Sequence, residues 1–336
     1  MMKIGNINIG ERTLVIAEIG NNHEGDFVTA KLLLERAAES GVDAVKFQTI
    51  RAERFVSRDE KDRFNQIRRF ELAESQFREL ALLAEARELL FLSTPFDVDS
   101  ADMLDEFVPA FKVASGDLNW YQFLEHLALK GKPILLSTGM AEVDEISRAL
   151  ETIRQASPLL PNESVVLLHC VSAYPAPVRE VNLLSISYLR EKFGVPVGYS
   201  DHTSGILVCE TAAALGARVI EKHFTYRKEG QAFRDHALSA DPAEMKELVA
   251  RIRLIEASLG ANDKKLMEIE KQNRVAMRRS LAAGKNLSRG ETITGKMITF
   301  LRPGTGIPPE GLSSIIGRRA ARDIAEGSII EEKDIE

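Results

Sequence analysis

The sequence predicts a (β/α)8 barrel followed by a small β-rich domain. Three observations carry this reading. Eight short apolar runs recur between residues 14 and 224, with amphipathic stretches between them. Polar residues gather at the C-terminal ends of those runs. The alternation then stops after about residue 260, where turn signals and short β-like pieces take over. Near-continuous apolar runs suit strands buried on both faces, and strand–helix alternation repeated eight times closes a barrel. A doubly wound open sheet is the structural alternative. Eight units, and no Gly-rich fingerprint after the first run, count against it.

The runs, in order, are LVIAEIG (14–20), AVKFQT (44–49), LLFLSTPF (89–96), FKVAS (111–115), PILLSTG (133–139), VVLLHCVS (165–172), VPVGYSDH (195–202) and RVIEKHF (218–224). Intervening stretches such as FVTAKLLLERAAESG and SQFRELALLAEARELL place apolar residues three and four apart, the helical period. The polar residues at the run ends are Glu18 with Asn21, Asn22 and His23, then Lys46 and Gln48, Ser93 and Thr94, and Lys112, Ser115 and Asp117. Ser137 and Thr138 follow, then His169 and Ser172, Ser200, Asp201 and His202, and finally Glu221, Lys222 and His223. In a barrel that end of the strands carries the chemistry.

The expected domains are a barrel over residues 1–260, a charged linker over 261–276 and a β-rich domain over 277–336. A formal charge of −6 gives no case for nucleic acid, whose partners usually carry a basic face. Cys170 and Cys209 lie in apolar contexts without disulfide or zinc spacing, which reads as buried thiols in a reducing cytoplasm. The N-terminal stretch shows no signal-peptide core, and no apolar run reaches a membrane-spanning length.

His202 and His223 end the seventh and eighth runs, which are neighbours in a barrel. Two imidazoles there can converge on one divalent ion, with Asp235 in the following loop as a nearby carboxylate. Lys46 and Lys112 sit inside apolar runs, where a lysine needs an anionic partner. That partner is either a barrel carboxylate such as Glu18 or a bound phosphate or carboxylate. Thr94, Ser115, Ser137 and Ser172 add hydroxyl donors. Glu18 and Asp117 are proton-transfer candidates, or partners of the lysines. Tyr174 either packs on a sugar face or staples its loop. His23 and His236 bind substrate or line the site, whereas His126 lies on a helix and His169 in a strand, both structural in this reading.

The motifs IAEIGNNHEG, VKFQT, STPFD, FKVASGD, ILLSTGMA, LLHCVSAYPAP, GYSDHT, IEKHF and LRPGTGIPP together resemble the sialic acid synthase family, over nearly the whole chain and in order. The resemblance implies condensation of phosphoenolpyruvate with an open-chain N-acetylated hexosamine, such as N-acetylmannosamine or a diacetamido sugar, to a nine-carbon 2-keto acid. It implies manganese or magnesium on His202 and His223. Phosphoenolpyruvate would then meet Lys46, Gln48, Thr94, Lys112, Ser115, Ser137 and Ser172, and the sugar Tyr174 and Asp235. Arg302, which opens the RPGTG segment of an antifreeze-like C-terminal domain, would reach the barrel of a partner in a domain-swapped homodimer. Glu18 matches a rim glutamate of the family. Two positions depart from the pattern: Asp117 stands where many members carry glutamate, and Ser172 where many carry asparagine. Neighbouring readings are a legionaminate or pseudaminate synthase, a 3-deoxy-ulosonate synthase that uses a sugar phosphate, a lysine aldolase, and a non-catalytic sugar-binding barrel.

Overall fold

A computed structural model describes residues 2–159, 161, 164–231 and 233–336. The chain divides into two compact units, Met1–Gly260 and Ala261–Glu336.

In the first unit an antiparallel hairpin, β1 (Lys3–Ile4) and β2 (Ile7–Asn8), precedes eight strands. These are β3 (Leu14–Gly20), β4 (Ala44–Thr49), β5 (Leu90–Pro95), β6 (Phe111–Val113), β7 (Ile134–Ser137), β8 (Val165–His169), β9 (Val197–Asp201) and β10 (Val219–His223). Their order in the sheet is β5-β4-β3-β10-β9-β8-β7-β6, and every hydrogen-bonded pair is parallel. The first strand of the series pairs with the last, through Val219↔Leu14 to His223↔Glu18, so the sheet curls on itself as a TIM barrel. Each of the eight apolar runs contains one of these strands.

The helices follow from ordinary amphipathic chemistry. Phe27–Glu39 starts at Asp26, whose carboxylate accepts from Thr29 N at 2.6 Å, and buries Ala30, Leu33, Leu34 and Ala37 against the sheet. The last helix of the unit, Pro242–Leu259, is capped by Asp241. Its Arg253 reaches Asp43 at 2.7 Å and the carbonyl of Thr13 at 2.9 Å, which ties the end of the barrel chain to its start.

Period-two alternation within the strands positions the chemistry. Leu14, Ile16, Ala44, Leu92, Ala110, Leu135 and Val219 form one buried cluster, plugged by Met2, Ile4 and Ile9 from the hairpin segment. Two residues beyond Ile16, Ala44, Leu92, Ala110, Leu135 and Val219 stand Glu18, Lys46, Thr94, Lys112, Ser137 and Glu221. These six therefore point inward, as a polar layer on an apolar floor. Another step of two reaches Gln48, Gly139 and His223.

The same parity corrects the grouping of the run ends. Asp201 and Lys222 were expected on the catalytic rim, yet they face outward. They form a fully buried pair at 2.7 Å. Asp201 also accepts from the Tyr199 hydroxyl, Thr203 N, the Thr203 hydroxyl and the Cys209 thiol. A buried ion pair persists where its remaining lone pairs are satisfied, as here.

The second unit is built around β11 (Ser280–Ala283), which pairs antiparallel with β12 (Ile298–Leu301). Isolated bridges add Ala282↔Ile329, Leu287↔Ile324, Thr292↔Arg319 and Ala320↔Ile335. Leu281, Leu287, Ile293, Ile315, Ile324 and Ile330 make its core. Residues 261–276, expected as a linker, group with this unit and include most of the helix Glu270–Met277. Arg302 is exposed directly after β12. No helix among the described residues is long and apolar enough to cross a membrane.

Candidate active site

The inward polar layer is an alternating set of charges. Lys46 Nζ lies 2.6 Å from Glu18 Oε2 and 3.7 Å from Glu221 Oε2, and it donates to the Thr94 hydroxyl at 3.0 Å. Lys112 Nζ donates to Ser137 Oγ at 2.7 Å and lies 4.0 Å from Glu221 Oε1. Glu221 thus sits between both lysines, and Ser200 donates to it at 2.7 Å. Gln48 donates to Glu18 Oε1 at 3.0 Å and is held in turn by Asn21 at 2.8 Å. The two lysines and two carboxylates are all buried.

This crowding separates the two carboxyls. Burial, reinforced by the Glu221 carboxylate, pushes Glu18 up to about 7 against the pull of Lys46. Glu221 is held below the ordinary range despite burial, because Lys112 and Lys46 both face it. Burial draws Lys112 down, whereas the carboxylates beside Lys46 outweigh burial and raise it. The alternatives left open for the lysines are therefore not exclusive. They are paired in the free protein, and an entering anion can compete with the carboxylates for them.

A second corner is formed around Gly139. Its N–H donates to Ser115 Oγ at 3.1 Å, and Ser115 Oγ is 3.2 Å from the Cys170 thiol. A Cβ at Gly139 would lie 2.4 Å from Ser172 Oγ, 2.8 Å from Ser115 Oγ and 3.0 Å from Cys170 Sγ. A side chain here would displace these groups, so glycine leaves Ser115 and Ser172 close to one another. Asp117 follows on the short turn Ser115–Asp117, with Oδ2 buried and unpartnered.

Burial lifts the Asp117 carboxyl to about 6 against the pull of Lys112. An ordinary aspartate titrates near about 4, so the folded chain keeps a proton that the unfolded chain sheds between about pH 4 and pH 6. The stability this group contributes is present at the acid end and is lost as pH rises through about 6. Denaturation of wild type and Asp117→Asn should show the wild type losing ground to the variant over that window. A constant difference would mean the carboxyl is not held up.

The histidines form the third part. The rings of His202 and His223 are 5.5 Å apart, and Tyr174 packs on them at 4.2 and 6.2 Å. His202 Nδ1 meets the Val171 carbonyl at 2.7 Å, which leaves its Nε2 free. His223 Nδ1 is buried without a partner. Burial holds both imidazoles below their ordinary value, His223 well below, so both are neutral and able to ligate. Among the described residues no three His, Cys, Asp or Glu side chains cluster as a metal cage. What the chain offers is two neutral imidazoles. One has its other ring nitrogen fixed by a carbonyl, and that donor set fits a divalent ion with positions left for water or substrate. Asp235 joins this side through Arg234, whose Nε donates to Asp235 Oδ1 at 3.2 Å while its guanidinium lies 5.3 Å from the Tyr174 ring centroid. Burial raises the Asp235 carboxyl.

The remaining histidines separate cleanly. His126 pairs with Asp102 near the surface, and His169 Nε2 meets the Val181 carbonyl. His23 and His236 each keep a buried Nε2 without a hydrogen-bond partner. Arg302 belongs to the other unit. Sequence reasoning noted Glu221 without giving it a role, although its parity with Lys46 and Lys112 was available. It passed over Arg234, for which an arginine in a loop carries no pattern.

The NeuB family model matches residues 33–264, and the SAF domain model matches residues 278–336. The chain belongs to the NeuB family. An uncharacterised relative from Methanocaldococcus jannaschii is 44% identical over 99% of this chain and 98% of its own length. The N,N'-diacetyllegionaminic acid synthase of Legionella pneumophila is 39% identical over 96% of this chain and 94% of its own. The crystal structure of N-acetylneuraminic acid synthetase from Leptospira borgpetersenii in complex with citrate superposes with a TM-score of 0.75 at 35% identity. It covers 81% of this chain and 94% of that one. Other NeuB relatives are named as N-acetylneuraminate-9-phosphate and pseudaminic acid synthases. The chain is therefore an enzyme of the sialic-acid-type synthase family, with a C-terminal SAF domain.

Proposed function

We propose that this enzyme condenses phosphoenolpyruvate with an open-chain N-acetylated hexosamine to give a nine-carbon 2-keto acid and phosphate. The observation that carries the reading is the pair of buried lysines, Lys46 and Lys112, held around Glu221 beneath the His202–His223 edge. The lysines, with Thr94, Ser115, Ser137, Ser172 and the Gly139 N–H, offer donors to the carboxylate and phosphate of phosphoenolpyruvate. His202 and His223 would hold manganese or magnesium, which when bound supplies Lewis-acid polarisation of the aldehyde oxygen.

The enol carbon attacks the aldehyde carbon. A carbon–carbon bond forms, the carbonyl electron pair moves to oxygen and takes up a proton, and the middle carbon of phosphoenolpyruvate becomes oxocarbenium-like. Water adds there and gives up a proton. The tetrahedral intermediate then expels phosphate with carbon–oxygen cleavage, leaving the ketone. Two carboxyls serve the proton traffic. Glu18, held near 7, is poised to donate at neutral pH, and Asp117, held near 6, to accept. Tyr174 and Asp235 line the sugar side.

Purified protein incubated with phosphoenolpyruvate, manganese and a panel of amino-sugars should release phosphate only when both substrates are present, with a product mass equal to sugar plus pyruvate. Phosphate release indifferent to the sugar would sink the reading, and borohydride trapping of a pyruvate adduct would favour a lysine aldolase instead. The exposed Arg302 is proposed to complete the sugar site of a partner in a swapped homodimer. Mixed dimers of Arg302→Ala and Lys46→Ala chains should then regain activity, and confirmed heterodimers without recovery would refute the swap.

A further inference from the structure

Arg234 lies at the sugar side of the site, and its surroundings fix it more firmly than its 72% side-chain exposure suggests. On one flank, the Phe233 ring meets Phe70 edge-on at 5.1 Å, and Phe233 N donates to Glu24 Oε1 at 3.4 Å. On the other, His236 Nδ1 meets the Thr225 hydroxyl at 2.6 Å, and its Nε2 lies 3.5 Å from the same Glu24 carboxylate. The residue between these anchors has little freedom at its backbone. Its guanidinium lies over the Tyr174 ring and bonds Asp235, so it touches both side chains proposed to hold the sugar.

We propose that Arg234 is a specificity-determining residue that receives an amide carbonyl on the acceptor sugar, additional to the acetamido group beside the aldehyde. This rests on the proposed function and deepens it. A guanidinium has five donors and no acceptor, so it selects a group that only accepts, which a sugar hydroxyl is not. Its charge is already matched by Asp235, and a second carboxylate, Glu24 from the loop after β3, reaches the neighbouring Phe233 N. The remaining fork of Nη donors therefore suits a neutral carbonyl. A phosphate would arrive beside an existing carboxylate and be opposed by it. The cation–π contact with Tyr174 and the bond to Asp235 together restrict the guanidinium, which lowers the entropy lost when the carbonyl docks.

The test compares kcat/KM for 2,4-diacetamido-2,4,6-trideoxymannose, N-acetylmannosamine and N-acetylmannosamine 6-phosphate in wild type, Arg234→Lys and Arg234→Ala, with calorimetric binding of each sugar in parallel. The wild type should prefer the diacetamido sugar. That preference ratio should fall about 10- to 100-fold in Arg234→Ala, the loss expected for one hydrogen bond to a charged donor. The change should sit in the KM of the acceptor, with partial recovery in Arg234→Lys and an unchanged KM for phosphoenolpyruvate. A preference ratio that does not move, or an Arg234→Ala loss confined to the phosphorylated acceptor, overturns the inference alone. A wild-type chain that neither binds nor turns over any of the three overturns the proposed function, and this inference with it.

Discussion

Lys46→Met is expected to lower kcat/KM for phosphoenolpyruvate by on the order of a hundredfold to ten-thousandfold, the rate equivalent of about 3–5 kcal/mol for removing one partner of a buried ionic set. Lys46 is the residue that reconciles Glu18 with Glu221, at 2.6 and 3.7 Å. Without it two buried carboxyls face an incoming trianion with only Lys112 to offset them. Glu18 should then remain protonated to a higher pH, since the charge that pulls its proton away is gone. Methionine keeps the volume and the apolar stem, so the loss reports charge and not a cavity. The measurement is steady-state phosphate release against phosphoenolpyruvate concentration, with circular dichroism to confirm the fold. A variant within tenfold of wild type would show that the lysine only neutralises its neighbours and does not meet substrate.

His223→Ala is expected to abolish tight manganese binding and to reduce turnover by on the order of a thousandfold, since Lewis-acid polarisation of a carbonyl supplies several kcal/mol. The buried, partnerless Nδ1 of His223 is the observation behind this. An unsatisfied buried nitrogen costs stability unless something else uses it. The same substitution should therefore leave the metal-free protein at least as stable as its loss of packing against Tyr174 allows, while removing the rise in unfolding midpoint expected of the wild type when manganese is added. Electron paramagnetic resonance of the free manganese signal reads the binding directly. Binding unchanged in His223→Ala would move the ion, and the aldehyde with it, to another part of the site.

The expectations that held and those that shifted divide along one physical line. Strands buried on both faces write themselves as apolar runs, so each barrel strand could be read from residues such as Leu14, Val45 and Leu135. Lysines inside such runs draw notice because an unpaired buried charge is expensive. Parity was equally available: Lys46, Lys112 and Glu221 each lie two residues past an inner apolar position, and this separates them from Asp201 and Lys222, which face the helices. Motif reading groups neighbours in sequence and overlooked that alternation.

By itself the sequence determined the eight strands, the polar residues at their C-terminal ends and the family, because burial on both faces is a local consequence of side-chain type. Only the tertiary structure decided which charges meet. That Glu221 stands between Lys46 and Lys112, that Gly139 leaves Ser115 and Ser172 close to one another, and that Arg234 bridges Tyr174 to Asp235 all depend on distances between strand ends far apart in the chain. Coulombic and hydrogen-bond energies vary steeply over a few ångströms. Residue type announces a charge, whereas its partner, protonation and role are set by the folded barrel.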